Sequence, residues 1–318
     1  GGTGLPSVLR AMKSFTGNLT AIVTVADDGG SSGRLRREMG VLPPGDLRNN
    51  IVALADDESL MARLFQYRFS EGDMSGHAFG NLFIAALSGV AGSLELALVE
   101  TGRVLNIQGR VLPSTLSNVS LVADVRPPGK TRTLHVQGES KIAELGGQIE
   151  HLSIEPEDAV ALQDSVQTIL DADLIVIGPG SLYTSILPNL LVQGIADALR
   201  ASRAYKVYVC NVATQPGETE GFNVADHVLV LEQYIGRGVF QAVLANNAQP
   251  VENAGENTRY VATVSPHHEI AQRYEVRYCD LTDAQRPWRH DPLKLAQALL
   301  EMRGEESNTS RQPERALL

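Results

Sequence analysis

At 318 residues, with 43% hydrophobic and 20% charged residues, the chain has a globular composition and enough length for one large α/β domain, or a core with a substantial insertion. The formal charge of −10 argues against contact with a phosphate backbone, so nucleic acid is not an expected partner. No apolar stretch is long enough to insert in a membrane, and Cys210 and Cys279 supply neither a disulfide framework nor a zinc cluster, so a reducing, cytoplasmic setting is expected.

The chain opens on Gly1-Gly2-Thr3-Gly4, a glycine turn leading into the helical pattern Val8–Met12. It starts without Met and inside this motif, which predicts that the strand feeding the turn lies upstream. Ser7 stands where the dinucleotide fingerprint carries its third Gly or Ala, and no glycine loop continues into Gly-Lys-Ser or Gly-Lys-Thr, which sets the P-loop aside. The β-branched run from Ala21 to Val25 then reads as a buried strand and breaks into Ala26-Asp27-Asp28-Gly29-Gly30-Ser31-Ser32-Gly33. In open α/β sheets ligands bind beyond the carboxyl ends of strands, so these carboxylates, hydroxyls and glycines read as the wall of a polar pocket for a sugar, ribose or phosphate. Asp46, after Pro43-Pro44-Gly45, is a candidate helix N-cap; Arg48, Asn49 and Asn50 follow early in that helix, beside the same crevice.

From Glu58 to Val104 the pattern is helical, with Leu60, Leu64, Phe65 and Phe69 at core spacing. Within it, Ser75-Gly76-His77 precedes Asn81, and the spacing places His77 and Asn81 on one helical face. A lone histidine is more often structural than catalytic, but this pairing points toward a pocket. Residues 105–155, including Arg110-Val-Leu-Pro, Ser120–Val125 and Thr133–Val136, read as a small antiparallel insertion without recognisable chemistry.

The α/β rhythm then resumes with a helix over Glu157–Leu170 and a strand over Leu174–Ile177, followed by Gly178-Pro179-Gly180-Ser181. Here Ser181 is a candidate N-cap of a long helix through Arg200, whose free amides would suit a phosphate. The strand Lys206–Cys210 ends in Asn211, Thr214 and Glu218, a third polar cluster at a strand's carboxyl end. A helix over Val224–Tyr234, strands at Val239–Ala245, Tyr260–Val264 and Glu275–Cys279, and a helix from Pro292 to Met302 complete the reading. The fold expected is α/β: a Rossmann-like, doubly wound, mostly parallel sheet with a helical and small antiparallel β insertion. Residues 1–58 and 156–245 form its core, 59–155 the insertion, 246–304 the C-terminal part of the core, and 305–318 a flexible tail. A nicotinamide dehydrogenase, resting on Asp27 as a ribose contact, fits poorly, because the acidic doublet is unlike that position and no hydride-transfer group accompanies it.

Taken in order, these loops resemble one family. Gly-Gly-Thr-Gly-Leu, Val-Ala-Asp-Asp-Gly-Gly-Ser-Ser-Gly-Arg-Leu-Arg, Pro-Pro-Gly-Asp-Leu-Arg-Asn, Ser-Gly-His-Ala-Phe-Gly-Asn-Leu, Ile-Gly-Pro-Gly-Ser-Leu-Tyr-Thr-Ser and Cys-Asn-Val-Ala-Thr-Gln-Pro-Gly-Glu-Thr lie within residues 1–221. They resemble the YvcK family of gluconeogenesis factors, a branch of the CofD-like superfamily named after 2-phospho-L-lactate transferase. The last third matches less well: Trp288-Arg289-His290-Asp291 stands where the family often shows Arg-His-Asn, and Tyr260 falls near a family tyrosine associated with sugar-nucleotide binding.

The resemblance implies a UDP-sugar ligand, UDP-N-acetylglucosamine being favoured, and a cytoplasmic regulator linked to gluconeogenic growth, cell-wall precursor allocation and cell shape. On that reading Gly178, Gly180 and Ser181 receive the diphosphate, Gly2, Thr3 and Gly4 close round it, and Arg289 adds a positive charge. Asn211 and Thr214 would contact base or ribose, with Ser31, Ser32, Asn49, Asn81 and Tyr260 completing the pocket. This regulator requires no cofactor; its expected partners are the nucleotide sugar and unidentified proteins, with homodimerisation by superfamily analogy. The alternative is a CofD-like transferase moving a phospholactyl-type group from a nucleotide diphosphate donor. There Asp27, Asp28 and Asp46 would hold Mg²⁺, and His77 would act as general base.

Overall fold

The computed structural model of the chain describes residues 4–56, 59–251 and 258–309. Among these residues nine strands form three sheets: β1 (Thr20–Val23), β2 (Arg110–Pro113), β3 (Ser120–Arg126), β4 (Leu134–Gln137), β5 (Gln148–Glu155), β6 (Leu174–Ile177), β7 (Tyr205–Val209), β8 (Ala242–Asn246) and β9 (Glu275–Cys279). The order β6-β7-β8-β9 is parallel throughout, β1 and β2 form a parallel pair, and β4-β3-β5 is antiparallel.

The four-stranded sheet is covered on both faces, as its unbroken apolar strands demand. Alternation along β7 and β8 sends Val207, Val209, Ala242 and Leu244 to one face, against Val8 and Met12 of the first helix and Leu295 and Leu299 of the last. Tyr208, Val243 and Ala245 face the other way, into the main core with Val228 and Leu231. The chain is therefore a doubly wound α/β protein. Among the described residues no helix is long and apolar enough to cross a membrane.

The helices that carry the first half are α1 (Gly4–Met12), α2 (Gly30–Met39), α3 (Gly45–Leu54), α4 (Leu60–Gln66), α5 (Phe79–Ala91) and α6 (Leu94–Val104). Several local expectations are corrected. Arg110–Pro113 is not antiparallel; it pairs in parallel with β1, Ile22 facing Leu112. Leu60 and Leu64 are exposed, while Phe65 is buried against Phe79 and Phe83. The short α4 turns only one flank inward, so of these three the helical spacing holds for Phe65 alone. The long helix after Ser181 is broken into a π-helical turn (Leu182–Ile186), Leu187–Leu190 and Ile195–Ala201, with Pro188 at the start of the second piece and Gly194 before the third. Asp46 lies inside the first turn of α3, whose N-cap is Pro44. Tyr260 and Ala262 make only isolated bridges, to Ala213 and Asn223, rather than a strand. The last helix runs from Pro292 to Thr309, beyond Met302 and into the segment expected to be a flexible tail.

Candidate functional site

The carboxyl ends of β1, β6 and β7 converge on a polar cleft of about 430 Å³. Gly4 enters it at the start of α1, packed so closely on the following loop that a Cβ there would lie 2.4 Å from the Pro179 carbonyl oxygen. Gly180 and Ser181 follow β6, and Asn211, Thr214 and Gln215 follow β7. Asn211 ties the two loops together: its Oδ1 accepts from the Gly180 amide at 3.2 Å and its Nδ2 donates to the Gly180 carbonyl at 2.9 Å. Ser181 makes no capping bond to its helix. Its hydroxyl instead accepts from Gln215 Nε2 at 2.7 Å.

The cap is Glu218, whose carboxylate accepts from the Tyr183 amide at 3.2 Å and the Thr184 hydroxyl at 3.0 Å. Buried there, its carboxyl is pushed above the usual range, with these bonds opposing the shift. A buried acid thus already occupies the helix end that the sequence suggested for phosphate. An anion reaching this loop would be met from the Gly180–Ser181 side.

One wall of the cleft is acidic. Asp27 accepts from the Gly29 amide at 2.9 Å, and burial, followed by the nearby Asp46 charge, pushes its carboxyl up despite that bond. Glu139, at the start of α7 (Glu139–Leu145), faces the same space. Its Oε2 is buried and unpartnered, and burial, then Asp27 and Asp46, push the group up to about 8. Basic side chains line the cleft and its neighbourhood as well. Arg289 and His290 border both this cleft and an adjoining lobe of about 480 Å³, where Arg10, Arg286 and Asn49 line the surface. His290 donates Nε2–H to the Cys210 carbonyl at 3.1 Å, and burial lowers its pKa to about 4, so the ring is neutral at pH 7.

The expected residues therefore divide. Gly4, Asp27, Asp46, Gly180, Ser181, Asn211, Thr214 and Arg289 share the cleft, and Asn49 lies in its basic lobe. Asp28 is engaged elsewhere, its Oδ1 accepting from the Ser140 amide at 2.9 Å. Ser31, His77 and Asn81 do not line the cleft but form a buried cluster, Ser31 Oγ lying 3.1 Å from His77 Nδ1 and 3.0 Å from Asn81 Nδ2. His77 and Asn81 meet through Ser31, not along one helical face, because α5 begins only at Phe79. Ser32 accepts from the Gly45 amide at 3.1 Å and so fastens α2 to α3. Gly178 lines a different space, between β1 and β6. Tyr260 packs, partly buried, against the core cluster on the α1 side of the four-stranded sheet, its hydroxyl buried without a partner. Gly2 and Thr3 lie outside the described residues.

Glu139 is the residue the sequence concealed. It sits in the insertion read as chemically silent, and Gly138, with φ of +110° and no room for a Cβ beside Asp28, presents it to the cleft. Its proton gives a direct test. The folded chain holds that proton up to about pH 8 against an ordinary value of 4.5, so between these limits the folded state binds more protons and stability falls as pH rises. Glu139→Gln is expected to melt with the parent near pH 4 and above it at pH 8.5, by at least ~1 kcal/mol, which is roughly the free energy of a tenfold change in proton affinity. Parallel melting curves across that range would mean that Glu139 holds no such proton in the cleft wall.

The chain is a doubly wound α/β protein of the open-sheet class, with a polar cleft beyond its strand ends, where ligands of such sheets bind. Comparison with known proteins narrows this. The family model described as 2-phospho-L-lactate transferase CofD matches residues 1–286, and the chain belongs to that family. Within it the chain is a homologue of the gluconeogenesis factors: the Bacillus subtilis gluconeogenesis factor is 49% identical over 248 residues, 78% of this chain and 77% of that protein. A Nostoc sp. relative is 47% identical over 314 residues, 96% of this chain, which spans 67% of that relative's length. A crystal structure of a Bacillus halodurans protein superposes with a TM-score of 0.88 at 40% identity, covering 94% of this chain and 97% of that one.

Proposed function

We propose that the chain is a nucleotide-sugar-binding regulator whose ligand is a UDP-sugar, UDP-N-acetylglucosamine by the family resemblance. The polarity of the cleft carries this reading. A UDP-sugar is a doubly anionic diphosphate flanked by two neutral, hydroxyl-rich ends. Arg289, with Arg10 and Arg286 beyond it, offers the diphosphate a cationic wall inside a protein of net charge −10. Asp27 and Asp46 offer acceptors to sugar hydroxyls, while Asn211 and Thr214 stand at the β7 end for ribose or base. The name its relatives carry, gluconeogenesis factor, supports a role in gluconeogenic growth. Control of cell-wall precursor allocation and cell shape, a cytoplasmic location, protein partners that read the bound state, and homodimerisation belong to the same proposal.

One observation favours the transferase as a second reading: Asp27, Asp46 and Glu139 share a wall. Among the described residues no three Asp, Glu, His or Cys side chains gather closely enough to hold an ion alone. Mg²⁺ is commonly held by one or two carboxylates plus substrate phosphates, so Asp27 and Asp46 fit it in the company of a nucleotide diphosphate. The ion would neutralise charge on the departing phosphate. Asp28 and His77 do not support that reading, since one is committed to Ser140 and the other to Ser31.

Calorimetric titration with UDP-N-acetylglucosamine in the presence of Mg²⁺, followed by assay for free UMP, separates the two, because moving a phosphate-linked group from a nucleotide diphosphate breaks the P–O–P bond and expels the monophosphate. Saturable heat without UMP release is expected. Released UMP would replace the regulator with the transferase, and absence of binding would remove this ligand. Gly180→Val serves as the site control, because a Cβ there meets nothing nearer than Ser185 Cβ at 3.5 Å. It should abolish the heat while leaving the melting temperature within a few degrees; unchanged affinity would take the Gly180 loop out of the site.

A further inference from the structure

Hydrogen-bond roles on the loops after β6 and β7 are fixed one after another, starting from a backbone unit whose roles cannot change. The Gly180 amide can only donate and its carbonyl can only accept. Asn211 meets both, so its Oδ1 must lie on the amide, at 3.2 Å, and its Nδ2 on the carbonyl, at 2.9 Å. The second hydrogen of Nδ2 goes to Gln215 Oε1 at 3.2 Å, which leaves Gln215 Nε2 to donate to Ser181 Oγ at 2.7 Å. A serine hydroxyl has one proton and two lone pairs. With a lone pair engaged by Gln215, the Ser181 proton must be given elsewhere, and no acceptor for it occurs among the described residues. Ser181 lines the polar cleft together with Asn211 and Gln215.

Neighbouring donors are committed within the protein. Asn211 holds the Gly180 amide, and Glu218 holds the Tyr183 amide and the Thr184 hydroxyl. Gln215 is itself held by its backbone. Its amide donates to Thr219 Oγ1 at 2.9 Å, and its carbonyl accepts from the amides of Glu218 at 3.1 Å and Thr219 at 2.9 Å. Thr219 is fully buried, so the relay stands on a fixed base. A polar network in which each role is assigned presents its remaining donor in one orientation, with no rearrangement needed when a ligand arrives.

We infer that Gln215 is a positioning residue that makes the Ser181 hydroxyl a donor toward the cleft, and that the ligand sets a phosphoryl oxygen of its diphosphate against that hydroxyl. The inference rests on the nucleotide-sugar reading of the cleft and adds a direction to it, because the group met at Ser181 is an acceptor. A phosphoryl oxygen, charged and without a proton, gains more from this donor than a sugar hydroxyl does, since hydrogen bonds to charged groups are the stronger class. Arg289, on another wall segment of the same cleft, is left to meet the remaining charge.

The test is a double-mutant cycle on the whole chain: parent, Ser181→Ala, Gln215→Glu and the double variant. Each is melted, and each is titrated calorimetrically with UDP-N-acetylglucosamine and with inorganic pyrophosphate. At neutral pH a glutamate keeps the bond from Asn211 but has no proton to give, so it takes the Ser181 proton and reverses the relay. Ser181→Ala is expected to cost roughly 10-fold or more in affinity in the parent, and less than about twofold in the Gln215→Glu background. The added negative charge is present in both members of the second comparison and cancels from it. Melting temperatures should stay within a few degrees of the parent. If Gln215→Glu melts far below it, the cycle is completed with Gln215→Met, which frees the hydroxyl to rotate, and Ser181→Ala should then cost clearly less than in the parent. An equal cost of Ser181→Ala in both backgrounds, or a Ser181→Ala variant that binds as the parent does, overturns the inference and leaves the UDP-sugar reading standing. The expected pattern with pyrophosphate, where UDP-N-acetylglucosamine does not bind, removes the UDP-sugar and keeps the relay. Binding of neither probe overturns both.

Discussion

Arg289→Ala is expected to weaken UDP-N-acetylglucosamine binding by roughly 10- to 100-fold while leaving the melting temperature almost unchanged. The affinity loss follows from removing a charge-assisted hydrogen-bonding partner, worth about 1.5–3 kcal/mol, at tenfold per 1.4 kcal/mol. The unchanged stability follows from how its loop is held. The Arg289 amide donates to the Arg286 carbonyl at 2.8 Å and its carbonyl accepts from the Asp283 amide at 3.0 Å, and both are backbone bonds that alanine keeps. Arg289→Lys retains the charge but not the planar fork, so it should fall between parent and alanine. Titration calorimetry on the three proteins measures this directly. An alanine variant binding within twofold of the parent would mean the basic lobe does not meet the diphosphate, and the ligand's orientation in the cleft would have to be reversed.

The sequence was legible wherever chemistry and local backbone rule coincide. The β-branched runs at Ala21 and Leu174 are strands, and the glycine-rich breaks after them do lead into the cleft, because such runs are buried and their breaks fall at strand ends. Legibility stopped where a side chain's direction depends on a distant partner. Asp27 and Asp28 are adjacent and chemically identical, yet Asp27 lines the cleft while Asp28 is claimed by the amide of Ser140, 112 positions away. Nothing local distinguishes them. Glu139 was hidden for the same reason: its character comes from burial beside Asp27 and Asp46, which no spacing in its own segment records.

The partners of His77 also come from distant segments. Its neighbours in sequence are rich in glycine and polar groups, as a pocket histidine's would be, but that polarity is spent inside the fold. Ser31 accepts from Asn81 and contacts His77 in a site that is 5% exposed or less at each of the three side chains. Desolvation, then the nearby Arg34 charge, lowers the imidazole's pKa. Through Ser31 these bonds join α2 to the start of α5.

Gly33→Ala is expected to destabilise the protein by roughly 2 kcal/mol or more, against the usual sign of that change. In the middle of an exposed helix, alanine is favoured over glycine by about 1 kcal/mol. Gly33 lies within α2, but a Cβ there would fall 1.9 Å from the Asp28 carbonyl oxygen and 2.5 Å from its carbon. Both are backbone atoms of the strand-end loop, so no side-chain rotation relieves the clash, and overpacking of this kind costs about 1–3 kcal/mol or more. Relief requires α2 to move away from Asp27-Asp28, which also shifts the carboxylate that lines the cleft. The variant should therefore melt several degrees lower and lose ligand affinity together. Gly17→Ala, where a Cβ meets nothing within 4 Å, is the control and should do neither. If Gly33→Ala melts at or above the parent temperature, α2 is not packed on the Asp28 carbonyl, and the contact that holds Asp27 in the cleft wall must be sought elsewhere.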